Sequence, residues 1–123
     1  MTLVDTDALF DFLADRGTAD RVARLLERGE VAIAAVTVYE LYAGVTNERH
    51  LRERNELVGL VDVVDLSAAI ARSAAELYTT LKAAGQLISN EDLLIAATGL
   101  RTGYPLLTMN RGHFARVPGL SLA

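Results

Sequence analysis

Short apolar runs that alternate with segments of helical spacing constrain the fold of this 123-residue chain more than any other feature. Between these runs, apolar side chains recur every three or four positions, which is typical of helices with one buried face. Strands that alternate with helices are joined by right-handed crossovers and form a mostly parallel sheet. The strand candidates are residues 2–5, 31–34, 61–64, 106–107 and 120–122. We therefore predict one α/β domain over residues 1–123, with a mostly parallel central sheet of about five strands and helices on both faces.

Charge and cysteine content limit the classes of function. The formal net charge is −4 at pH 7, which argues against a broad basic surface that holds nucleic acid by counterion release alone. The absence of cysteine excludes a disulfide framework and a thiolate zinc site. No apolar segment approaches the roughly 20 residues of a membrane span. We expect a cytoplasmic protein with no membrane partner.

Three acidic residues are predicted at the edge of the sheet where functional crevices form, beyond the carboxyl ends of the strands. Asp5 ends the first strand, and Glu40 and Asp92 each lie in the first turn of a predicted helix. Local explanations exist, since the two helices are predicted to start at Thr37 and Ser89, and each start fits a capping box of Ser or Thr followed three residues later by an acid. Asp5 or Asp7 can also be an N-cap residue favoured by the helix dipole, and for Asp7 this local role is preferred to a place in the site.

Taken together, Asp5, Glu40 and Asp92 indicate a metal site. The predicted topology brings them to one edge of one sheet, where their like charges repel one another. A divalent cation resolves that conflict, and oxygen ligands without neighbouring histidine or cysteine favour magnesium, with manganese as the alternative, over zinc. Such an ion is suited to the hydrolysis of phosphodiester bonds.

Four motifs carry a family resemblance that spans essentially the whole chain. The segments VDT, TVYELYAG, EDLLIAAT and LLTMNRGHFARVPGL occur in that order, and the set resembles the PIN-domain ribonucleases, most closely the VapC toxins of toxin–antitoxin pairs. The resemblance implies that Asp5, Glu40 and Asp92 bind the catalytic metal of an endoribonuclease that inhibits translation and growth. It further implies a VapB-like antitoxin as partner, RNA as substrate and a homodimer.

The fourth motif departs from the family pattern at Asn110, where many PIN nucleases carry an aspartate. An amide can ligate a metal through its oxygen or hold a water, but it supplies no negative charge, so a second tightly held ion is not expected. Asn110 as a helix N-cap is the equal alternative. Thr108 orients phosphate or water in the family or is a simple strand-end residue, and Arg111 contacts the RNA backbone or is an ordinary surface arginine. His113 is interpreted as part of a turn rather than as a general base.

Two other functions stay open. The DTD sequence at residues 5–7 also occurs in haloacid-dehalogenase phosphatases, where Asp5 would be the nucleophile and Asp7 the general acid. Against this, Leu9 replaces the usual Thr or Val and no later lysine motif is evident. The second alternative is a non-catalytic PIN-fold module that only binds a partner.

Overall fold

A four-stranded parallel sheet in the order β3-β2-β1-β4 forms the centre of the computed structural model, which describes residues 1–123. Eleven elements follow one another along the chain. They are β1 (Thr2–Val4), α1 (Thr6–Leu13), α2 (Ala19–Glu27), β2 (Val31–Ala34), α3 (Ala35–Tyr42), α4 (Glu48–Gly59), β3 (Asp62–Val64), α5 (Ala68–Ala83), α6 (Asn90–Thr102), β4 (Leu106–Leu107) and α7 (Arg111–Phe114). The predicted α/β class and the parallel sheet are confirmed.

Successive strand residues point to opposite faces, and both faces are buried. Leu3 and Leu106 belong to a core of 15 buried residues that α5 and α6 help to form. Their neighbours Val4 and Leu107 belong to a second core of 9 buried residues on the other face, with contributions from α1, α2, α3 and α4. Burial on both sides explains why these strand sequences are apolar at consecutive positions.

The number of strands differs slightly from the predicted value of about five. Residues 120–122 form only one parallel bridge, between Leu122 and Leu106. A turn precedes them, in which Gly119 has a φ of 80° and the Leu120 N–H bonds to the Val117 carbonyl. Only the residues after this turn lie beside β4, which is too short a stretch for a full strand. None of the helices is long and apolar enough to cross a membrane.

Helix α3 begins earlier than the sequence predicts. Its first residue is Ala35, directly after β2, and the N-cap residue Ala34 has no side-chain capping bond. Thr37 therefore lies inside the helix, fully buried, and the predicted capping box of Thr37 with Glu40 is wrong. Helix α6 does begin where predicted, since Ser89 Oγ accepts a hydrogen bond from the Asp92 N–H.

Candidate active site

Asp5 is a buried acid at the carboxyl end of β1, with only 4 % of its surface exposed. Its Oδ1 accepts a 2.7 Å hydrogen bond from the Thr6 N–H, and its Oδ2 accepts one of 2.7 Å from Thr108 Oγ1. The first bond makes Asp5 the N-cap of α1. The interpretation of Asp7 as an N-cap is wrong, because the N-cap lies two residues earlier, at Asp5, and Asp7 is exposed in the first turn.

Burial raises the pKa of Asp5 to about 6 from an ordinary value of 3.8. The hydrogen bonds from Thr108 and Thr6 act in the opposite direction, because they favour the charged form. The carboxylates of Asp92 and Asp7 raise the pKa further by like-charge repulsion. Two hydrogen bonds therefore hold the Asp5 carboxylate in place, but they do not fully offset the cost of its buried negative charge.

Glu40 is joined to the same region by the hydroxyl of Thr6. Thr6 Oγ1 donates a 2.7 Å hydrogen bond to Glu40 Oε1, and its oxygen lies 3.1 Å from Thr37 Oγ1. A hydroxyl has one proton, so the hydrogen between the two threonines comes from Thr37 when Thr6 donates to the glutamate. Burial raises the pKa of Glu40, the bond from Thr6 lowers it, and the nearby charges of Glu91, Asp92 and Asp7 raise it.

Asp92 lies in the first turn of α6 and is half-buried. Burial raises its pKa, and the neighbouring His113 lowers it. The distance between Asp92 Oδ2 and His113 Nδ1 is 3.7 Å. The charge of Asp7 raises the pKa of Asp92 as well.

Asp5, Glu40 and Asp92 thus share one electrostatic environment at the carboxyl edge of the sheet. The Asp92 charge acts on both of the other acids, and the Asp7 charge acts on all three. No three acidic or histidine side chains are gathered closely enough to form a ready set of metal ligands. The charges of these acids therefore affect one another's pKa values, although the side chains do not converge on one position.

Asn110 lies at the same edge and contacts Thr108 and His113. Its N–H donates a 2.9 Å hydrogen bond to Thr108 Oγ1, the same hydroxyl that donates to Asp5. Asn110 occupies the N-cap position of α7, but its side chain makes no capping bond. Its Nδ2 lies 2.7 Å from His113 Nδ1. Arg111 Nη1 donates to the main-chain oxygen of Ala123 at 2.7 Å, which ties this exposed arginine to the end of the chain.

The sequence-based prediction gives Thr6 no role and assigns His113 only to a turn, yet both residues lie at this edge. The spacing of Asn110 and His113 was a usable signal, since residues three apart in a helix lie on the same face. Thr6 had no such signal, because its hydroxyl partners lie 31 and 34 residues away in the sequence.

The comparison with protein families decides the identity of the fold. The family described as PIN domain matches residues 2–120. The chain belongs to the PIN-domain family. This membership replaces the haloacid-dehalogenase alternative, because the match covers the DTD segment together with nearly all of the remaining chain.

Curated relatives of this PIN domain carry VapC names. The chain is 33% identical over 120 residues to Ribonuclease VapC1 of Methanocaldococcus jannaschii, which covers 98% of this chain and 83% of that protein. It is 28% identical over 122 residues to the tRNA(fMet)-specific endonuclease VapC of Shigella flexneri, which covers 96% of this chain and 92% of that protein.

Solved structures agree on the fold. VapBC2 from Rickettsia felis, bound to a DNA fragment from its promoter, contains a chain that matches with a TM-score of 0.86 at 24% identity, covering 99% of this PIN domain and 96% of that chain. VapBC-1 from nontypeable Haemophilus influenzae matches with a TM-score of 0.82 at 26% identity, covering 99% and 96%.

Proposed function

We propose that this PIN domain is a VapC-type endoribonuclease that hydrolyses RNA phosphodiester bonds with the help of a divalent cation. The observation that carries the proposal is the buried, uncompensated carboxylate of Asp5, coupled by charge to Glu40 and Asp92 at the carboxyl edge of the sheet. The ribonuclease names of its curated relatives support the same activity.

The donor set fits a hard divalent ion. The three coupled acids offer carboxylate oxygens, and each oxygen of Asp5 accepts one hydrogen bond, which leaves it further lone-pair capacity. The expectation of no neighbouring histidine is wrong, since His113 lies 3.7 Å from Asp92, but its Nδ1 is engaged with Asn110 Nδ2 at 2.7 Å. Magnesium keeps several waters and is held in proteins by one or two carboxylates, so it does not need three protein ligands gathered in advance. We assign Asp5 and Asp92 as its ligands, with Glu40 as a ligand directly or through water and manganese as the alternative ion.

The residues around the ion have separate duties in the proposed reaction. When bound, magnesium lowers the pKa of a coordinated water and neutralises charge on the phosphate oxygens. Glu40 and Asp92 both have raised pKa values, which suits either of them to accept the proton of the attacking water. Thr108 fixes the orientation of Asp5, and the side-chain oxygen of Asn110 orients water or phosphate.

The substrate and partners follow from the same assignment. An open carboxylate edge can receive a splayed single strand or a loop, whereas the base edges of an RNA duplex are not accessible to it. Arg111 is the proposed contact to the RNA backbone. The expected contact from Thr108 is wrong, because Thr108 is only 3% exposed and its hydroxyl is engaged with Asp5 and Asn110. We further propose a VapB-like antitoxin that neutralises the enzyme, a homodimeric assembly, a cytoplasmic location and inhibition of translation as the consequence of cleavage. The similarity to a chain of VapBC-1 from nontypeable Haemophilus influenzae supports this partnership.

Cleavage of labelled RNA tests the proposal. Protein freed of any co-purifying antitoxin is incubated with RNA in magnesium, and in parallel with a chelator. We expect chelation to stop cleavage, Asp5→Asn to abolish it, and Asp15→Asn to leave it unchanged, because Asp15 is exposed and the charge change is the same. Folded wild-type protein that cleaves no RNA in magnesium would contradict the proposal and favour a PIN-fold binding module.

A further inference from the structure

A cavity of about 510 Å³ lies between α1 and α4. None of the three acids Asp5, Glu40 and Asp92 lines it. This volume falls in the range of about 300–1,000 Å³ that small-molecule sites occupy. Asp7 and Phe10, three residues apart on α1, form one wall. His50 and Arg54, four residues apart on α4, form the opposite wall. The spacing places each pair on a single helix face.

The cavity begins at the proposed catalytic edge. Asp7 lines its near end, and Asp7 lies in the first turn of α1, two residues after Asp5. The opposite wall is fixed beside the same edge, since Arg54 Nε donates a 3.2 Å hydrogen bond to the carbonyl of Leu41, the residue after Glu40. A strand of RNA whose phosphate lies at the carboxylates can reach this cavity with its neighbouring nucleotide, because Asp7 lines the cavity and follows Asp5 by two residues.

The guanidinium of Arg54 is held in place. Its carbon lies 5.4 Å from the centre of the Phe10 ring, and its Nη1 lies 3.9 Å from Glu53 Oε2. Together with the bond to Leu41, these contacts leave only 14% of the side chain exposed. An ordered arginine plane on an aromatic ring is a platform on which a nucleobase stacks.

The charges of the cavity favour a base over a phosphate. Two acids, Asp7 and Glu53, and two arginines, Arg16 and Arg54, line it, so their formal charges cancel. Arg16 is moreover already paired with Asp11 at 2.8 Å. A phosphate requires an excess of positive charge, whereas a nucleobase is neutral and presents both donors and acceptors on its edge.

We propose that this cavity binds the nucleobase next to the scissile phosphate of the RNA, with Arg54 as its stacking residue and His50 as a second contact. The inference rests on the proposed endoribonuclease activity and adds to it the site of base recognition. It makes cleavage depend on a base at one defined position and not only on the phosphate backbone.

The experiment first maps the position at which the wild-type enzyme cuts RNA in magnesium. It then compares the cleavage of oligoribonucleotides that each carry an abasic nucleotide at one position beside that cut. We expect kcat/KM to fall about tenfold at one position, in keeping with the typical contribution of one stacked base. Arg54→Lys keeps the charge and removes the plane, and His50→Ala removes the second contact from an exposed site. Both variants should lose activity on intact RNA and match the wild type on the abasic substrate.

Arg101→Ala is the matched control, because Arg101 is exposed at the other end of α6, nine residues and about 14 Å of helix from Asp92. It should cleave both substrates as the wild type does. Circular dichroism shows whether each variant is folded, and His50→Ala carries the test if Arg54→Lys unfolds.

Three outcomes would overturn the inference while leaving the proposed function intact. The first is equal cleavage of intact and abasic RNA by the wild type. The second is an equal loss on both substrates in the folded variants, which indicates a phosphate contact. The third is unchanged RNA cleavage with lost antitoxin binding, which makes the cavity a peptide-docking surface. Failure of the wild type to cleave any RNA would instead remove the proposed function together with the inference that rests on it.

Discussion

Thr108 Oγ1 donates a 2.7 Å hydrogen bond to Asp5 Oδ2 across a separation of 103 residues in the sequence. The register of the sheet brings these residues together, because Val4 pairs with Leu107 on the neighbouring parallel strand and the next residues of the two strands are Asp5 and Thr108. The same hydroxyl accepts a hydrogen bond from the Asn110 N–H. One buried threonine thus connects the first and the fourth motif of the site.

Replacement of Thr108 by valine should weaken both stability and cleavage. Valine has a similar shape but leaves Asp5 Oδ2 and the Asn110 N–H without their partner. We expect the free energy of unfolding to fall by about 1–3 kcal/mol at pH 7 and the cleavage rate to fall at least about tenfold. Urea denaturation and RNA cleavage measure the two effects. Thr108→Ser retains the hydroxyl and should stay near the wild type; a valine variant as active as the serine variant would contradict the assigned role.

The raised pKa of Asp5 predicts a pH-dependent stability of the metal-free protein. The folded state binds this proton more tightly than the unfolded state, with a pKa of about 6 against 3.8. The stabilising contribution is therefore complete below pH 3.8 and is lost as the pH rises through 6. The difference corresponds to about 3 kcal/mol. We expect the stability of the chelated wild type to decline over this range in urea denaturation.

Asp5→Asn should remove the part of that decline that comes from Asp5, while Glu40 and Asp92, whose pKa values are also raised, keep theirs. Asparagine carries no charge, but it retains only one acceptor oxygen for the two bonds that Asp5 accepts, which costs about 1 kcal/mol. At pH 7.5 and without metal, the variant should be at least as stable as the wild type, and its advantage should shrink as the pH falls towards 4. Asp15→Asn is the control, since Asp15 is exposed and its φ of 54° suits asparagine. If Asp5→Asn unfolds, Asp5 is a structural acid.

A divalent ion should stabilise the folded protein through these carboxylates. At an ion concentration of 100 times Kd, the free energy of unfolding rises by about 2.7 kcal/mol when only the folded state binds. We expect magnesium or manganese to raise the Tm of the wild type and not the Tm of Asp5→Asn or Asp92→Asn. Sodium chloride at the same ionic strength controls for screening. The same rise in Tm in wild type and variants would place the ion elsewhere.

His113→Ala should reduce cleavage moderately. His113 Nδ1 lies 2.7 Å from Asn110 Nδ2 and 3.7 Å from Asp92 Oδ2, so its loss frees both side chains to move. The side chain is 46% exposed, so the Tm should change little. We expect a decrease of about tenfold in kcat, in keeping with misplacement of groups at the site rather than loss of a proton acceptor. His113→Gln, which restores an acceptor, should recover part of the activity. A loss of a thousandfold or more would make His113 the general base.

The acids at the edge of the sheet were predictable because their placement depends on short-range patterns. Apolar runs identify the strands, and parallel strands present their carboxyl ends at one edge. Asp5 needed no further information, since it follows β1 directly. Asp92 lies in the first turn of a helix that follows another helix, and it reaches this edge because α6 runs back to the start of the parallel strand β4. Thr37 is a different case: its motif matches a capping box, but the helix starts directly at the end of β2 and buries this threonine beside Thr6. A local motif cannot show which of several nearby residues starts a helix; here the first helical residue is Ala35, two positions before Thr37.

The order of apolar and polar residues alone determined a parallel α/β domain and the edge at which its acids lie, since burial on both faces of a sheet requires consecutive apolar positions. The tertiary structure decided how each acid is held: Asp5 by Thr6 and Thr108, Glu40 by Thr6, and Asp92 beside His113. The bonds from Thr108 and from the Thr6 hydroxyl join residues 103 and 34 positions apart. They depend on strand register and helix placement, which arise only when the whole chain packs.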